Sequence, residues 1–261
     1  MRRQSAPGEG PLMSTEFLLL FAVGFFAQLV DGALGMAFGV LTNTALLMMG
    51  LPAAQASALV HTVEVFTTGA SAASHIYHRN VDWRMVRRLG IGGIVGAVLG
   101  AWILSNVDIS AARRYVYAYL LLMGLFILLK SIRVVPLRQS PAGWTTPIGF
   151  VAGFLDASGG GGWGPVVTST LIGSGHAPRQ TVGSVNTTEF FVTTAAATTF
   201  FIELGAASLQ HLVPLILGGI VAAPFGGWAV KHVPARALMM AVGALIVMLS
   251  VWQLLRAFQL L

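Results

Sequence analysis

The few polar residues of this sequence that could do chemistry come in pairs. Asp31 and Asp156 stand 125 positions apart, and so do Glu64 and Glu189, His61 and Asn186, and Thr62 and Thr187. Carboxyl, imidazole, amide and hydroxyl groups repeated at one offset could hold a small ion or pass a proton. His61 precedes Glu64 by three residues, as Asn186 precedes Glu189, so each pair shares one helix face a turn apart. Two roles stay open for the glutamates: a group that takes up and hands on a proton, or a polar clamp. Two stay open for the aspartates: a binding or relay carboxylate, or a cap accepting N–H groups of the next helix.

The offset carries whole segments. GFFAQLVDGALGMAFG from Gly24 lies over GFVAGFLDASGGGGWG from Gly149, and LVHTVEVFTT from Leu59 lies over SVNTTEFFVT from Ser184. One inserted residue later, GAWILSNV from Gly100 meets GGWAVKHV from Gly226. Four of the nine acidic residues fall in the two equivalent pairs, which apolar self-similarity does not produce. Glycine interrupts both copies, at Gly35 in DGALG and at Gly160, Gly161 and Gly162 in DASGGGGWG. A glycine costs about 1 kcal/mol in a helix interior, so these runs mark breaks. Backbone amides can approach an anion there, and the N-terminus of a half-helix carries about +0.5 charge. Trp163 sits inside the second break and is expected to shape or gate a cavity. Asn43, Asn186 and His61 are the polar side chains available to an anion, since no Lys or Arg falls well inside an apolar segment.

The elements that position these residues must lie in lipid. Hydrophobic residues make up 56% of 261 positions and charged residues 9%, against about 25% charged in a soluble domain. The mean hydropathy of +0.79 agrees. Apolar segments run near 17–31, 35–49, 53–77, 86–105 and 112–132, then near 145–157, 162–174, 179–203, 209–230 and 235–258. The first two of each set are shorter than the 20 or so residues a full span needs. The chain is therefore expected to be an all-α integral membrane protein of two repeats, each a glycine-broken hairpin plus three transmembrane helices. Its divisions are a polar tail over 1–16, a first repeat over 17–132, a linker over 133–143 and a second repeat over 144–261.

Loop charge orients the repeats. Arg79, Arg84, Arg87 and Arg88 crowd one loop, whereas its equivalent near 203–209 has no basic residue. With Lys130, Arg133 and Arg138 in the linker and Lys231 and Arg236 later, the positive-inside bias makes the repeats inverted. Arg2, Arg3, Arg113 and Arg114 fall on the wrong side of that assignment. Paired broken helices in inverted repeats are built for a secondary transporter with its site between the halves. There is no cysteine, no HExxH and no Ser/His/Asp set, so no catalysis is expected. His75 and His78 read as interfacial, and no metal or other cofactor is expected. The net charge of +6 sits in short loops, which points away from nucleic acid and towards lipid.

The stretch DASGGGGWGPVVTSTLI, followed by GSVNTTEFF and matched by VDGALGMAFG and HTVEVFTT in the first half, resembles the sulfite exporter TauE/SafE family of membrane permeases over roughly residues 17–258. The first half departs from the glycine run, with Leu34, Met36 and Ala37 in its place. The resemblance implies multi-pass insertion in a bacterial-type inner membrane and movement of a sulfur-containing anion such as sulfite or a sulfonate. Proton coupling is compatible with the carboxylates, and a homodimer with the class. A passive channel is the alternative, followed by a membrane-embedded accessory subunit or enzyme.

Overall fold

A computed structural model describes residues 15–34, 36–132, 144–174, 176, 178–206, 209–232 and 235–259. Gly35, residues 1–14 of the tail and the linker 133–143 lie outside them. The described residues form ten helices and no strand: α1 (Thr15–Leu34), α2 (Phe38–Met48), α3 (Ala53–Tyr77), α4 (Trp83–Asn106), α5 (Ile109–Ile132), α6 (Thr145–Gly159), α7 (Trp163–Gly173), α8 (Pro178–Leu204), α9 (Leu209–His232) and α10 (Ala235–Ala257).

Hydropathy alone sets several helix starts too late. Asp82 caps α4, its carboxylate accepting the Arg84 amide at 2.8 Å and the Met85 amide at 3.4 Å. Asp108 accepts the Ala111 amide at 3.2 Å at the head of α5. Each acid satisfies an orphan donor and complements the positive end of the helix, so the helix begins at the cap and not at the first apolar residue. Glu16 in the first turn of α1 meets His211 at 3.0 Å, joining that helix to the start of α9.

Helix packing follows the repeat. α1 lies along α9 and α4 along α6; α3 pairs with α8 and α5 with α10. The close contacts are duplicated residue by residue. A methyl group on Gly92 would strike the Thr146 carbonyl and the Phe150 amide, and one on Gly218 would strike the Phe21 carbonyl and the Phe25 amide. Small residues let backbones meet without the hydrophobic drive that water supplies, which is how helices associate in lipid. Where equivalent helices pair, they run antiparallel: Asn186 near the start of α8 meets Ser71 and His75 late in α3, and Phe200 late in α8 packs on His61.

Among the described residues, three helical stretches are long and apolar enough to cross a membrane, Trp83–Asn106, Arg114–Ile132 and Met239–Ala257. Their outward faces are apolar, with Ile91, Val95, Leu122, Leu129 and Met248 exposed. Trp83, Trp102, Trp144 and Trp252 are exposed as well, whereas Trp163 is wholly buried.

Candidate functional site

The two glycine breaks face each other at the centre of the chain. α1 ends and α2 begins around Met36 and Ala37; α6 ends and α7 begins around Gly160, Gly161 and Gly162. Gly161 takes φ +137°, in the region open to glycine, and abuts Gly39 backbone to backbone. A methyl group on Gly39 would stand 2.8 Å from Gly161 Cα and 3.0 Å from a Glu64 carboxylate oxygen. Ala37, where the first repeat has alanine opposite Gly162, is forced to φ 108°, a conformation costly for a side-chain-bearing residue.

Each aspartate reaches across its break in the same manner. Asp31 accepts the Phe38 amide at 3.3 Å and Asp156 accepts the Trp163 amide at 2.9 Å. Both receive the first amide of the second half-helix, so the capping geometry is present in both repeats. Between the breaks lies a chamber lined by Asp31, Glu64, Asp156 and Glu189, with Thr67, Thr68, Gly162 and Trp163. Its volume of about 20 Å³ admits one water-sized body, since a water needs roughly 10–15 Å³ on this measure. Sulfite, with three oxygens on sulfur, does not fit it as it stands.

His61 enters this group from one turn before Glu64. Its Nδ1–H donates to the Ser57 carbonyl at 2.8 Å, while Ser57 Oγ donates to the Ala157 carbonyl at 2.8 Å. That leaves Nε2 facing Asp156 Oδ2 at 3.2 Å. With Nδ1 protonated, a neutral ring offers only a lone pair there, so this contact needs a proton or a cation between the two atoms. Ligand atoms of His61, Glu64 and Asp156 all lie within 4.8 Å of one another, and all three residues are buried.

The remaining expected site residues divide. Asn43 supports the break from outside the chamber, donating to the Gly159 carbonyl at 2.8 Å beside Gly160. Trp163 wedges its ring under Gly93 of α4 and donates Nε1–H to the Val185 carbonyl at 3.3 Å. Thr62 and Thr187 bond back to Ala58 and Gly183 in their own helices. Thr62 lines a separate cavity with Thr194 and Thr198, and Asn186 points to Ser71 and His75.

Sequence reasoning did not select Ser57, Thr67, Thr68, Tyr119 or Lys130. Ser57 and Thr68 lie one turn either side of the His61–Glu64 pair, a spacing that could have found them. Tyr119 donates to the Gly161 carbonyl at 2.6 Å from α5, and Lys130 Nζ stands 3.9 Å from Met36 Sδ on the chamber wall. No spacing signal links α5 to the breaks.

A family model described as Sulfite exporter TauE/SafE matches residues 20–252. The chain is 41% identical over 246 residues to the Bacillus subtilis (strain 168) "Probable membrane transporter protein YtnM", a match covering 89% of this chain and 81% of that protein. It is 29% identical over 113 residues to a Haemophilus influenzae (strain ATCC 51907 / DSM 11121 / KW20 / Rd) "Probable membrane transporter protein", covering 42% and 43% of the two chains. No solved structure matches.

Proposed function

This chain belongs to the sulfite exporter TauE/SafE family, a family of membrane transporters and not of enzymes, and on that premise we propose that it is a secondary transporter for a small sulfur-containing anion. The observation that carries the reading is the pair of glycine breaks whose half-helix N-termini converge on one buried polar chamber. Amides at the heads of α2 and α7 offer positive ends to an anion, and Lys130 supplies a cation beside Met36.

The chamber is too small for the anion as it stands and must widen to admit it, which supports a carrier over a permanently open channel. The carrier cycle follows from rocking one repeat against the other around a fixed site. Antiparallel packing of α3 on its counterpart α8, and of α5 on α10, supports repeats that are inverted in an inner membrane crossed many times. An anion beside four carboxyl groups must bring compensating charge, and protons exchanged at Glu189 supply part of it. The test is flux in proteoliposomes loaded with sulfite or organosulfonates, with and without a pH gradient. Uptake against a concentration gradient, driven by the pH gradient, is expected; no anion flux under any gradient would overturn the assignment.

A further inference from the structure

We propose that His61, Glu64 and Asp156 form a binding site for one divalent transition-metal cation, of the Zn²⁺ or Co²⁺ type, at the edge of the central chamber, where Glu64 and Asp156 line the wall and His61 stands behind it. Three observations carry this, each with its own chemistry. First, the trio joins one imidazole nitrogen and two carboxylates, a donor set that suits zinc and its neighbours and leaves a fourth position open. Second, His61 is oriented as a ligand: its Nδ1–H is committed to the Ser57 carbonyl, which turns the Nε2 lone pair into the site. Metal-binding histidines are held by the same kind of outer bond. Third, Glu64 is 4% exposed, and its Oε2 has no hydrogen-bond partner although it lies in the wall of the chamber. A buried carboxylate oxygen left unbonded costs free energy, and a cation removes that cost.

Size and charge point the same way. The Glu64 and Asp156 side of the site opens on a chamber of about 20 Å³, room for a bare cation or one water. Two plus charges balance the two carboxylates. The trio spans up to 4.8 Å, against about 3.4 Å between tetrahedral ligands on a zinc at roughly 2.1 Å. Closing that difference takes a shift of up to about 1.4 Å, and Glu64, with an oxygen that has no hydrogen-bond partner, can supply it. Asp156 keeps Oδ1 on the Trp163 amide and gives Oδ2 to the cation. A fourth position, not filled by the trio, would be open to an anion oxygen. That last role rests on the proposed anion transport; the binding of the cation does not.

The experiment uses the full-length protein purified in detergent through a tag that contains no histidine. Titration with Co²⁺, read by visible d–d absorption and by metal content after desalting, should give one ion per chain, displaced by Zn²⁺. His61→Gln and Glu64→Gln should each weaken binding by about 100-fold or more, since losing even an outer partner of a ligand costs 10- to 100-fold. His211→Gln, at the α1–α9 surface contact, should leave binding unchanged. Absence of stoichiometric Co²⁺ or Zn²⁺ in the wild-type protein overturns the proposal, as does full binding in a monodisperse His61→Gln protein. If the variants do not fold, X-ray absorption of the Co²⁺-loaded wild type decides. A shell of one imidazole with oxygens supports the site, and a shell of several imidazoles overturns it. Binding without anion flux would sink the transport reading alone, and flux in metal-free protein without binding would sink this one alone.

Discussion

Asp156 holds the Trp163 amide with one oxygen and faces His61 with the other, and substitution can separate those roles. Asn keeps an acceptor for the amide and removes the charge. Asp156→Asn should therefore melt within a few degrees of wild type while transport is lost, whereas Asp156→Ala also loses the cap and should cost about 1 kcal/mol of stability. Thermal unfolding in detergent and liposome flux check the two halves of that statement. At Ala37 the expected change is a gain: Ala37→Gly relieves the φ of 108° and should stabilise the protein by about 1 kcal/mol, read as a higher melting temperature. Lys130→Gln should raise the half-saturating anion concentration several-fold when anion is added from the side of the Lys-bearing end. The duplicated acids were legible in the sequence because charge is scarce there and its repetition stands out. Lys130 and Tyr119 were not, because the helix that brings them to the breaks is placed by tertiary packing alone.

Helix identity was readable from apolar runs and glycine breaks, while helix starts were not. Asp82 and Asp108 look like loop residues by hydropathy, yet each extends its helix by capping it. The broken hairpins were anticipated as interruptions, and the missing detail was that their tips meet, which needs glycine on both sides of the contact. The same steric demand governs α4 against α6. A side chain at Gly96 would collide with the Phe150 carbonyl and stand 2.8 Å from the Phe154 amide nitrogen. Gly96→Leu should cost about 3 kcal/mol or more by overpacking, and most of the protein should fail to reach a monodisperse state. Ile91→Leu, on the exposed face of the same helix, should leave the melting temperature and the elution profile unchanged.

For the molecule as a whole, the sequence repeat is also a repeat of contacts, since Gly92 and Gly218 meet equivalent backbone atoms of α6 and α1. Orientation in the bilayer is testable because the chain has no cysteine of its own. Tyr77 and Ile202 are repeat equivalents, and both are exposed. In whole cells, Tyr77→Cys should resist an impermeant maleimide until the membrane is opened, while Ile202→Cys should react at once. Labelling of both from the same side would make the repeats parallel.

The reach of each aspartate across its glycine break has a kinetic consequence. One carboxylate both ties down the head of a half-helix and confronts whatever occupies the chamber. Under the proposed transport function, grip on the cargo and the speed of its release therefore cannot be adjusted independently. A substitution that tightens capture also changes how readily the hairpin lets go, so affinity and turnover should move together across any series of variants at these two positions.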